Sequence, residues 1–342
     1  MNHLKRLLNA ISRPFSRLSS FRDLQSIAGN GLVCPVYHIC RDSTPPWWGQ
    51  RYPIKSTQEF EKDLDFLASL GPFVSLSDLL EWKNGNRDRP QGCFLSFDDG
   101  YRELAEIIAP ILLRKGIPAT FFLVSSILDN TAIFHEDLAG LIQVRLASAV
   151  KVERQAIART ASRYNKTLEQ TLFVRTPDWA LLREICGQLE LDCKAWLAGE
   201  KPYLTTQHVK KLIGDGFAIG SHSVDHPLFM DIDDQQKIEQ IRSSTAAITS
   251  QFSLNYRAFA FPYGEFGIDY SFFELLQNSK CLDLCFGTRG ITMDEFEPFL
   301  IQRVLAEGHQ GPFRNHLHRE MRLQKHRVTI QRATVRRPRL VA

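Results

Sequence analysis

The sequence predicts a barrel-like α/β fold in which short parallel strands alternate with helices. Apolar runs typical of buried strands recur at Leu32–Ile39, Gly92–Phe97, Ala119–Val124, Gly216–Gly220, Ala258–Phe261, Leu284–Gly287 and Leu300–Ala306. Segments with helical spacing of apolar residues lie between them, at Thr57–Leu70, Ser77–Trp82, Tyr101–Lys115, Thr205–Asp215, Asp231–Phe252 and Tyr270–Ser279. Strands joined through helices run parallel with right-handed crossovers, so their carboxyl ends meet at one end of the barrel.

The first predicted strand, Leu32–Ile39, carries His38 near its end. The side chain of His38 therefore either lines a site at the end of the barrel or packs as an ordinary core or rim histidine. Trp47 and Trp48 follow in a proline-containing loop, where they could stack on sugar rings or act as packing anchors. The sequence leaves both pairs of alternatives open.

Two neighbouring carboxylates follow the second strand. Asp98 and Asp99 come directly after the apolar stretch Phe94–Phe97 and precede Gly100. Ligands of parallel α/β folds bind at the carboxyl ends of the strands. Adjacent carboxylates there repel each other, so a positive group is expected beside them, and a divalent metal is the obvious candidate. The structural alternative is an ordinary Asp-Asp-Gly turn.

Two histidines follow a short apolar strand that begins at Gly216 and ends at Gly220. His222 and His226 are four residues apart, so one helical turn would place both imidazoles on the same side. Neutral imidazole is a common ligand of zinc and similar metals, although such pairs also occur by chance on surface helices. Two histidines and one aspartate from another strand would form a three-ligand site with an open position, as in catalytic metal centres.

A further apolar strand ends in Phe261-Pro262-Tyr263-Gly264. Together with Ser96–Gly100 and His222–Pro227, in this order and each at the end of an apolar run, it resembles the polysaccharide deacetylase family, the NodB homology domain. The resemblance extends outward to Val36-Tyr37-His38 and Phe286-Gly287-Thr288, and covers residues 31–308. It implies a distorted, incomplete (β/α) barrel of the NodB type.

The resemblance also implies a reaction and the residues that perform it. The expected activity is metal-dependent removal of N-acetyl groups from a sugar in a polysaccharide or glycolipid, which is hydrolysis of a linear amide. The implied metal ligands are Asp99, His222 and His226, with zinc as the expected divalent metal. The implied base is Asp98, and the backbone N–H of Tyr263 would hold the oxyanion. The expected substrate-binding residues are His38, Pro262, Tyr263 and Arg303.

Two departures from the family pattern are visible. Many members carry an arginine at the position of Ala260, where it pairs with the catalytic aspartate. Arg303, on the last predicted strand, is a candidate replacement, unless it serves only structure. The family's late Leu-x-His motif, which supplies the general acid, has no convincing match. His309 is the first candidate for that acid, ahead of His316, which lies in a tail-like segment.

Three segments fall outside the barrel pattern. Residues 127–203 are helix-rich and lengthen the distance between two motifs that lie closer together in compact family members. They are interpreted as a helical insertion that caps the site, forms a dimer contact or extends into solvent. Residues 1–30 are a basic amphipathic N-terminal extension, and residues 309–342 a basic C-terminal tail without clear apolar periodicity.

The N-terminal extension bears on localisation. Its apolar residues alternate with Lys and Arg over residues 1–18, which predicts peripheral contact with anionic membranes; Pro14 favours a packed or disordered extension instead. No run could span a bilayer, and Ser12-Arg13-Pro14 interrupts the apolar core that a signal peptide needs. Seven cysteines without a Cys-x-x-Cys pair suggest reduced thiols, with disulfide pairing as the alternative. We therefore expect a cytoplasmic protein, with the inner membrane surface as a peripheral site.

Two other classes of function are open at this point. A non-catalytic carbohydrate-binding relative of the deacetylases would account for the missing arginine and the unplaced acid. A nucleic-acid-binding protein would use the basic C-terminal tail, but this tail has no aromatic stacking pattern. The expected partner is therefore an N-acetylated polysaccharide or a lipid-linked sugar, and not nucleic acid.

Overall fold

A computed structural model of the protein describes residues 31–48, 51–172, 175–307, 311–329 and 334–339. The predicted N-terminal extension 1–30, with its predicted membrane contact through residues 1–18, lies outside the described residues, as does the candidate acid His309. Among the residues that the structure describes, no helix combines the length and the apolar character that crossing a membrane requires. All seven cysteines are free thiols, so none forms a disulfide in this structure.

The centre of the fold is an eight-stranded parallel sheet that curls into a nearly closed barrel. Its strands, in spatial order, are Leu300–Gln302, Leu284–Gly287, Ala258–Ala260, Ala218–Ser221, Thr120–Leu123, Ser96–Phe97, Pro35–Tyr37 and Val304–Leu305. Every neighbouring pair runs parallel. The predicted α/β barrel is therefore confirmed.

One run of chain closes the ring. Leu300–Gln302 pairs with the strand at one edge of the sheet, and Val304–Leu305 pairs with the strand at the other edge. Only Arg303 separates these two segments, and its side chain is fully buried. The last predicted strand is thus divided between the two edges, and Arg303 lies at the point of division.

Two small parallel sheets complete the strand structure. The first has the order Leu32–Val33, Gly92–Phe94 and Phe73–Val74. The second pairs Met293–Asp294 with Thr334–Val335. Because the small sheet and the barrel use consecutive pieces of chain, the first two predicted strands are each split by one residue, Cys34 or Leu95.

Helices surround the barrel. In the described part of the chain, the α-helices are Thr57–Leu70, Leu76–Lys83, Ala109–Lys115, His135–Ala147, Lys151–Arg163, Leu168–Leu172, Trp179–Gln188, Cys193–Glu200, Thr206–Gly214, Asp234–Phe252, Tyr270–Asn278 and Phe313–Thr329. A π-helical turn, Leu104–Ile108, and the 3₁₀ turns Pro46–Trp48, Ser125–Asn130 and Phe229–Asp231 complete the set. Thr57–Leu70 begins at the capping box of Ser56 and Glu59, as its sequence suggests.

Residues 127–203 contain five of these α-helices, and their described portion contributes no strand to the barrel. They have an apolar cluster of their own, which includes Leu138, Ile142, Ile157, Leu182 and Ile185. The division of the chain at 127 and 203 stays a prediction, since a separate cluster does not by itself define a domain.

The helix His135–Ala147 approaches the 3₁₀ turn Pro46–Trp48 through a glycine. A Cβ atom on Gly140 would lie 1.8 Å from the carbonyl oxygen of Trp47, so only glycine permits this contact. Trp47 and Trp48 are both buried, and Trp47 stacks on Tyr101 with 6.2 Å between ring centroids. The two tryptophans therefore serve as packing anchors, the second of the alternatives left open by the sequence.

This contact gives a stability prediction. Gly140→Ala should lower the free energy of unfolding by about 1–3 kcal/mol, because its methyl group has no room and the helix must shift. Gly187→Ala is the matched control: this helical glycine has nothing within 4 Å of the added Cβ. That substitution should leave stability unchanged or raise it by about 0.5–1 kcal/mol. Urea unfolding of both variants measures the difference, and equal destabilisation would contradict the close approach.

The described portion of the C-terminal segment differs from the expected tail. Phe313–Thr329 is a helix that buries Phe313, Leu317 and Met321 in the main apolar core. These residues are four positions apart and surrounded by Arg and His, so the apolar stripe is too narrow to stand out in the sequence. Further along, the buried guanidinium of Arg337 lies 2.7 Å from Asp294 and 3.2 Å from Glu265.

Candidate metal centre

The candidate ligands lie where neighbouring barrel strands end. Asp98 and Asp99 follow Ser96–Phe97, and His222 follows Ala218–Ser221. Both strands flank Thr120–Leu123, so the parallel sheet brings their carboxyl ends close together. The N–H of His222 donates to the carbonyl of Leu123 at 2.8 Å, which continues the ladder as far as the ligand.

Three side-chain atoms form a compact triangle. Asp99 Oδ1 lies 3.5 Å from His222 Nε2 and 3.4 Å from His226 Nε2. The two Nε2 atoms are 3.2 Å apart. Tetrahedral zinc has ligand bonds of about 2.0–2.1 Å, which separate its ligand atoms by about 3.3–3.4 Å. The triangle therefore has the size that one divalent metal ion requires.

The protonation states of these groups suit a cation. Burial lowers the pKa of His222 to about 4, and burial followed by the neighbouring His222 lowers the pKa of His226 well below its usual value. Both imidazoles are therefore neutral, which is the form that binds metals. Burial raises the pKa of Asp99 to about 7, and its buried Oδ1 has no hydrogen-bond partner among the described residues. A metal ion would satisfy this oxygen and stabilise the ionised carboxylate.

The backbone at the centre is strained. Asp99, His226 and Tyr263 have φ angles of 74°, 62° and 55°, in the left-handed region that residues other than glycine rarely adopt. Such residues each cost about 1–3 kcal/mol, and they cluster at functional sites where tertiary contacts hold them. The concentration of three at one centre supports a functional interpretation.

A backbone carbonyl orients the first histidine. Nδ1 of His222 lies 2.8 Å from the carbonyl oxygen of Ala260, so Nδ1–H donates and Nε2 keeps its lone pair for the metal. His226 packs edge-on against Phe134 and Tyr263, with ring centroids 4.9 Å and 4.6 Å away.

Asp98 is held by an arginine from the far end of the chain. Nη1 and Nη2 of Arg303 donate to the two Asp98 oxygens at 2.7 and 2.8 Å. Burial alone would raise the pKa of Asp98, but Arg303 and then His222 outweigh it, and the pKa lies below its usual value. Arg303, on the last strand, thus takes the place of the arginine that is absent at Ala260, as its sequence position suggested.

His38 borders the centre and has a carboxylate partner. Its Nδ1 lies 2.6 Å from Glu307 Oε2, and Glu307 also accepts the backbone N–H groups of His38 and Ile39. Burial alone would lower the pKa of His38, but Glu307, with smaller contributions from Asp99 and Asp98, raises it to about 9. His38 lines the cavity described below, so the first of its two alternatives holds.

Tyr263 connects the centre to the helix His135–Ala147. Its hydroxyl donates to Glu136 Oε1 and lies 3.3 Å from His135 Nε2. His135, Glu136 and His226 form a second group of close ligand atoms, next to the first. Residues 127–203 therefore extend as far as the metal centre.

A cavity of about 530 Å³ opens over these residues. This volume falls within the range of about 300–1,000 Å³ that is usual for small-molecule sites. Its barrel side includes His38, Asp98, Asp99, His222, His226 and Tyr263, and its other side includes Glu136, Gly140, Gln143, Leu172 and Arg175. The barrel thus contributes the candidate metal ligands, and the helical segment contributes a wall.

Some expected site residues lie elsewhere. Pro262 is buried and does not line the cavity, although it precedes Tyr263 in the same turn. Arg303 has no exposed surface, so its contact is with Asp98 and a direct contact with substrate has no support. His316 lies on the helix Phe313–Thr329, 2.6 Å from an Arg319 nitrogen.

Three residues of the site were missed in the sequence. Glu307 follows the last strand, and a carboxylate at a strand end was a usable signal for it. Glu136 and Arg175 belong to the helical segment, whose placement no local pattern reveals.

The family assignment rests on a comparison of sequences. The sequence profile described as polysaccharide deacetylase matches residues 85–278, which is more than half of the chain. The chain belongs to the polysaccharide deacetylase family. The matched range of this family member contains Asp98, Asp99, His222, His226 and Tyr263. No curated protein matches it in sequence.

Solved deacetylase structures resemble this family member in fold. The Streptococcus pyogenes deacetylase PplD, in complex with acetate, has a TM-score of 0.54 at 14% identity, over 84% of this chain and 97% of that chain. IcaB from Ammonifex degensii gives 0.54 at 18% identity, over 85% and 98%. The de-N-acetylase from Aggregatibacter actinomycetemcomitans gives 0.51 at 17% identity, over 82% and 96%. At these identities the likeness shows the shared fold alone.

Proposed function

We propose that this protein is a metal-dependent deacetylase that hydrolyses the N-acetyl group of a sugar in a polysaccharide or glycolipid. The observation that carries the proposal is the Asp99, His222 and His226 triangle next to the paired Asp98, on the floor of one cavity. Family membership supports a hydrolase that acts on N-acetyl groups.

The proposed metal is zinc, held by Asp99, His222 and His226. Two neutral imidazoles and one carboxylate are a common ligand set of catalytic zinc, with further positions open to water and substrate. Bound there, the ion would act as a Lewis acid that lowers the pKa of water and polarises the acetyl carbonyl.

Asp98 is the proposed general base. The paired guanidinium of Arg303 keeps its pKa low, so at neutral pH the carboxylate is in the form that accepts a proton. Asp98 Oδ2 lies 3.7 Å from His222 Nε2, so the base is adjacent to the ligand triangle. In this position it takes the proton of the attacking water.

The backbone of Tyr263 is the proposed oxyanion donor. Its left-handed φ of 55° places Tyr263 at a turn beside His226. Within the described residues, the Tyr263 N–H donates no hydrogen bond to the protein. A free donor of this kind favours negative charge that exists only in the transition state.

His38 is the proposed general acid, in place of His309. It lines the cavity, and Glu307 fixes Nδ1 so that Nε2–H is the group available to the substrate. An amide needs such a proton because an amine is a poor leaving group. The contact with Glu307 keeps His38 charged at neutral pH, so the proton is present before the carbon–nitrogen bond breaks.

This role predicts a pH dependence. His38→Gln should keep its metal and lower turnover by about 10² to 10⁴-fold, the range typical of general acids. The acid works only when protonated, so in the wild type activity should fall as pH rises through about 9. Glu307→Gln removes the charge that raises this pKa, and should move the alkaline limb to lower pH. Turnover rates of the wild type and Glu307→Gln are measured from pH 6 to 11. If the alkaline limb of Glu307→Gln lay at the same pH as that of the wild type, His38 would be ruled out as the acid.

The alternative, a non-catalytic carbohydrate-binding protein, was suggested by a missing arginine and an unplaced general acid, and this arrangement offers a residue for each. The arginine missing at Ala260 has a substitute in Arg303, and His38 offers an acid. The C-terminal segment is also less available to bind nucleic acid as a free basic tail, because its helix Phe313–Thr329 packs on the barrel.

The decisive test is acetate release by zinc-loaded protein from a panel of N-acetylated oligosaccharides and lipid-linked sugars. Release from at least one of them, lost on chelation and restored by zinc, is the expected result. Stoichiometric zinc without acetate from any compound would favour the binding protein instead.

A further inference from the structure

One arginine in the cavity wall forms no ion pair with the described residues. Arg175 lines the cavity, and its side chain is exposed. No ion pair among the described residues includes it. Its guanidinium carbon lies 5.8 Å from the centroid of the Tyr263 ring, so its charge is close to the proposed reaction centre.

The other charged side chains of the cavity differ from Arg175 in this respect. Their pairs are His38–Glu307 at 2.6 Å, Asp98–Arg303 at 2.7 Å and Arg51–Asp137 at 2.6 Å, and Arg51 also lies 3.3 Å from Glu136. Asp99 would have the metal ion as its partner. The Glu136 carboxylate also accepts a hydrogen bond from the Tyr263 hydroxyl, in addition to its contact with Arg51. Arg175 is therefore the one charged side chain of the described cavity lining with neither an ion-pair partner nor a proposed metal partner.

We propose that Arg175 binds an anionic group of the substrate, a carboxylate or a phosphate, on the acetylated sugar or on the unit next to it. The inference rests on the proposed function and narrows its substrate class to acidic N-acetylated sugars. The guanidinium is a planar fork of donors that matches both anions, and it is always charged. A neutral N-acetylated polymer has no anionic group that could pair with this guanidinium.

The rest of the lining fits a sugar that carries one such charge. Phe266, which is exposed, and Leu172, which is half-buried, supply apolar surface for the C–H faces of a sugar ring. Because Arg175 and the candidate ligands line the same cavity, an anion bound to Arg175 lies on the reacting sugar or close to it. The charge would then hold the acetamide in register with Asp98 and His38.

The test compares neutral and acidic substrates of one sugar. The probes are N-acetylglucosamine, its 1-phosphate and its uronic acid, and the readout is kcat/KM for acetate release by the zinc-loaded protein. The variants are Arg175→Gln, Arg175→Lys and Arg159→Gln. Arg159 is a matched control, since it is an exposed arginine of the same helical segment and does not line the cavity.

The wild type should prefer an acidic probe over the neutral one by about ten- to one-hundredfold, as expected for a hydrogen-bonded charge pair. Arg175→Gln should lose that preference, so that the ratio of kcat/KM on the acidic probe to kcat/KM on the neutral probe falls towards one. Arg175→Lys should restore part of it, and Arg159→Gln should match the wild type. The acidic probe that responds to Arg175 identifies the anion as phosphate or carboxylate. Wild-type protein without a preference, or a preference that survives Arg175→Gln, would overturn the inference and leave the proposed function standing.

If no probe is deacetylated, that result counts against the proposed function. The anion site is then tested by binding. Glucosamine 1-phosphate and glucosamine, which cannot be turned over, are titrated into wild-type and Arg175→Gln protein by calorimetry. Tighter binding of the phosphate to the wild type alone supports the anion site. Equal affinity of the two proteins for the phosphate overturns it, because the metal or another cation then holds the anion.

Discussion

Asp99→Asn should lose the metal, whereas Asp98→Asn should keep it and still lose most of its turnover. Oδ1 of Asp99 is a corner of the ligand triangle and has no other described partner, so a neutral amide there weakens the site. Both Asp98 oxygens face Arg303, so the second substitution removes a base and no ligand. Loss of a general base costs about 10² to 10⁴-fold in rate.

The comparison is well controlled because the two positions are adjacent and each change replaces a carboxylate by an amide of similar size. Zinc content by mass spectrometry and acetate release are measured on both variants, with His222→Ala as a further ligand variant that should also lose zinc. If Asp98→Asn lost zinc and Asp99→Asn retained it, the two roles would be exchanged. If both variants kept metal and rate, the pair would be an ordinary turn.

Arg303→Met should lower both stability and activity. Asp98 would then be a buried carboxylate without a partner, which costs about 3–5 kcal/mol of unfolding free energy. Without Arg303, burial raises the pKa of Asp98 above its unfolded value, so the variant is stabilised as pH falls and the carboxyl is protonated. In the wild type the pKa is depressed, and the stability that Asp98 contributes is lost as pH falls. In urea unfolding of the metal-free proteins, the difference in unfolding free energy between the wild type and Arg303→Met should therefore narrow from pH 7 to pH 4.

A double variant separates charge from packing. Arg303→Met with Asp98→Asn removes both charges, so it should recover some of the lost stability and none of the activity. A gap that is constant with pH, or a double variant no more stable than Arg303→Met, would show that Arg303 acts through its volume and not through Asp98.

The sequence was sufficient for the barrel and for the candidate ligands because both depend on local signals. Apolar runs ending in Asp98-Asp99, His222 and Tyr263 place functional groups at strand ends, and parallel strands bring those ends together. The triangle of Asp99, His222 and His226 then follows from the order of the strands in the sheet.

Other features depend on contacts between distant segments. The last predicted strand offered Arg303 as a candidate and Glu307 as a carboxylate at a strand end, but no local pattern shows that they pair with Asp98 and His38, more than 200 residues earlier. The wall formed by Glu136 and Arg175 depends on the docking of a helix at Gly140. The helix that buries Phe313 was hidden by the charged residues around it.

The split strand at Arg303 has a consequence for how the protein is made. Asp98 and Arg303 are 205 residues apart in the chain. Ribosomes add about 5–20 residues per second, so roughly 10–40 s pass between the synthesis of the two. During that interval the ring lacks the segment that joins its edges, and the carboxylate of Asp98 lacks its guanidinium. The proposed activity would therefore require synthesis beyond residue 303, and a nascent chain released before residue 303 would have neither a closed barrel nor a paired Asp98.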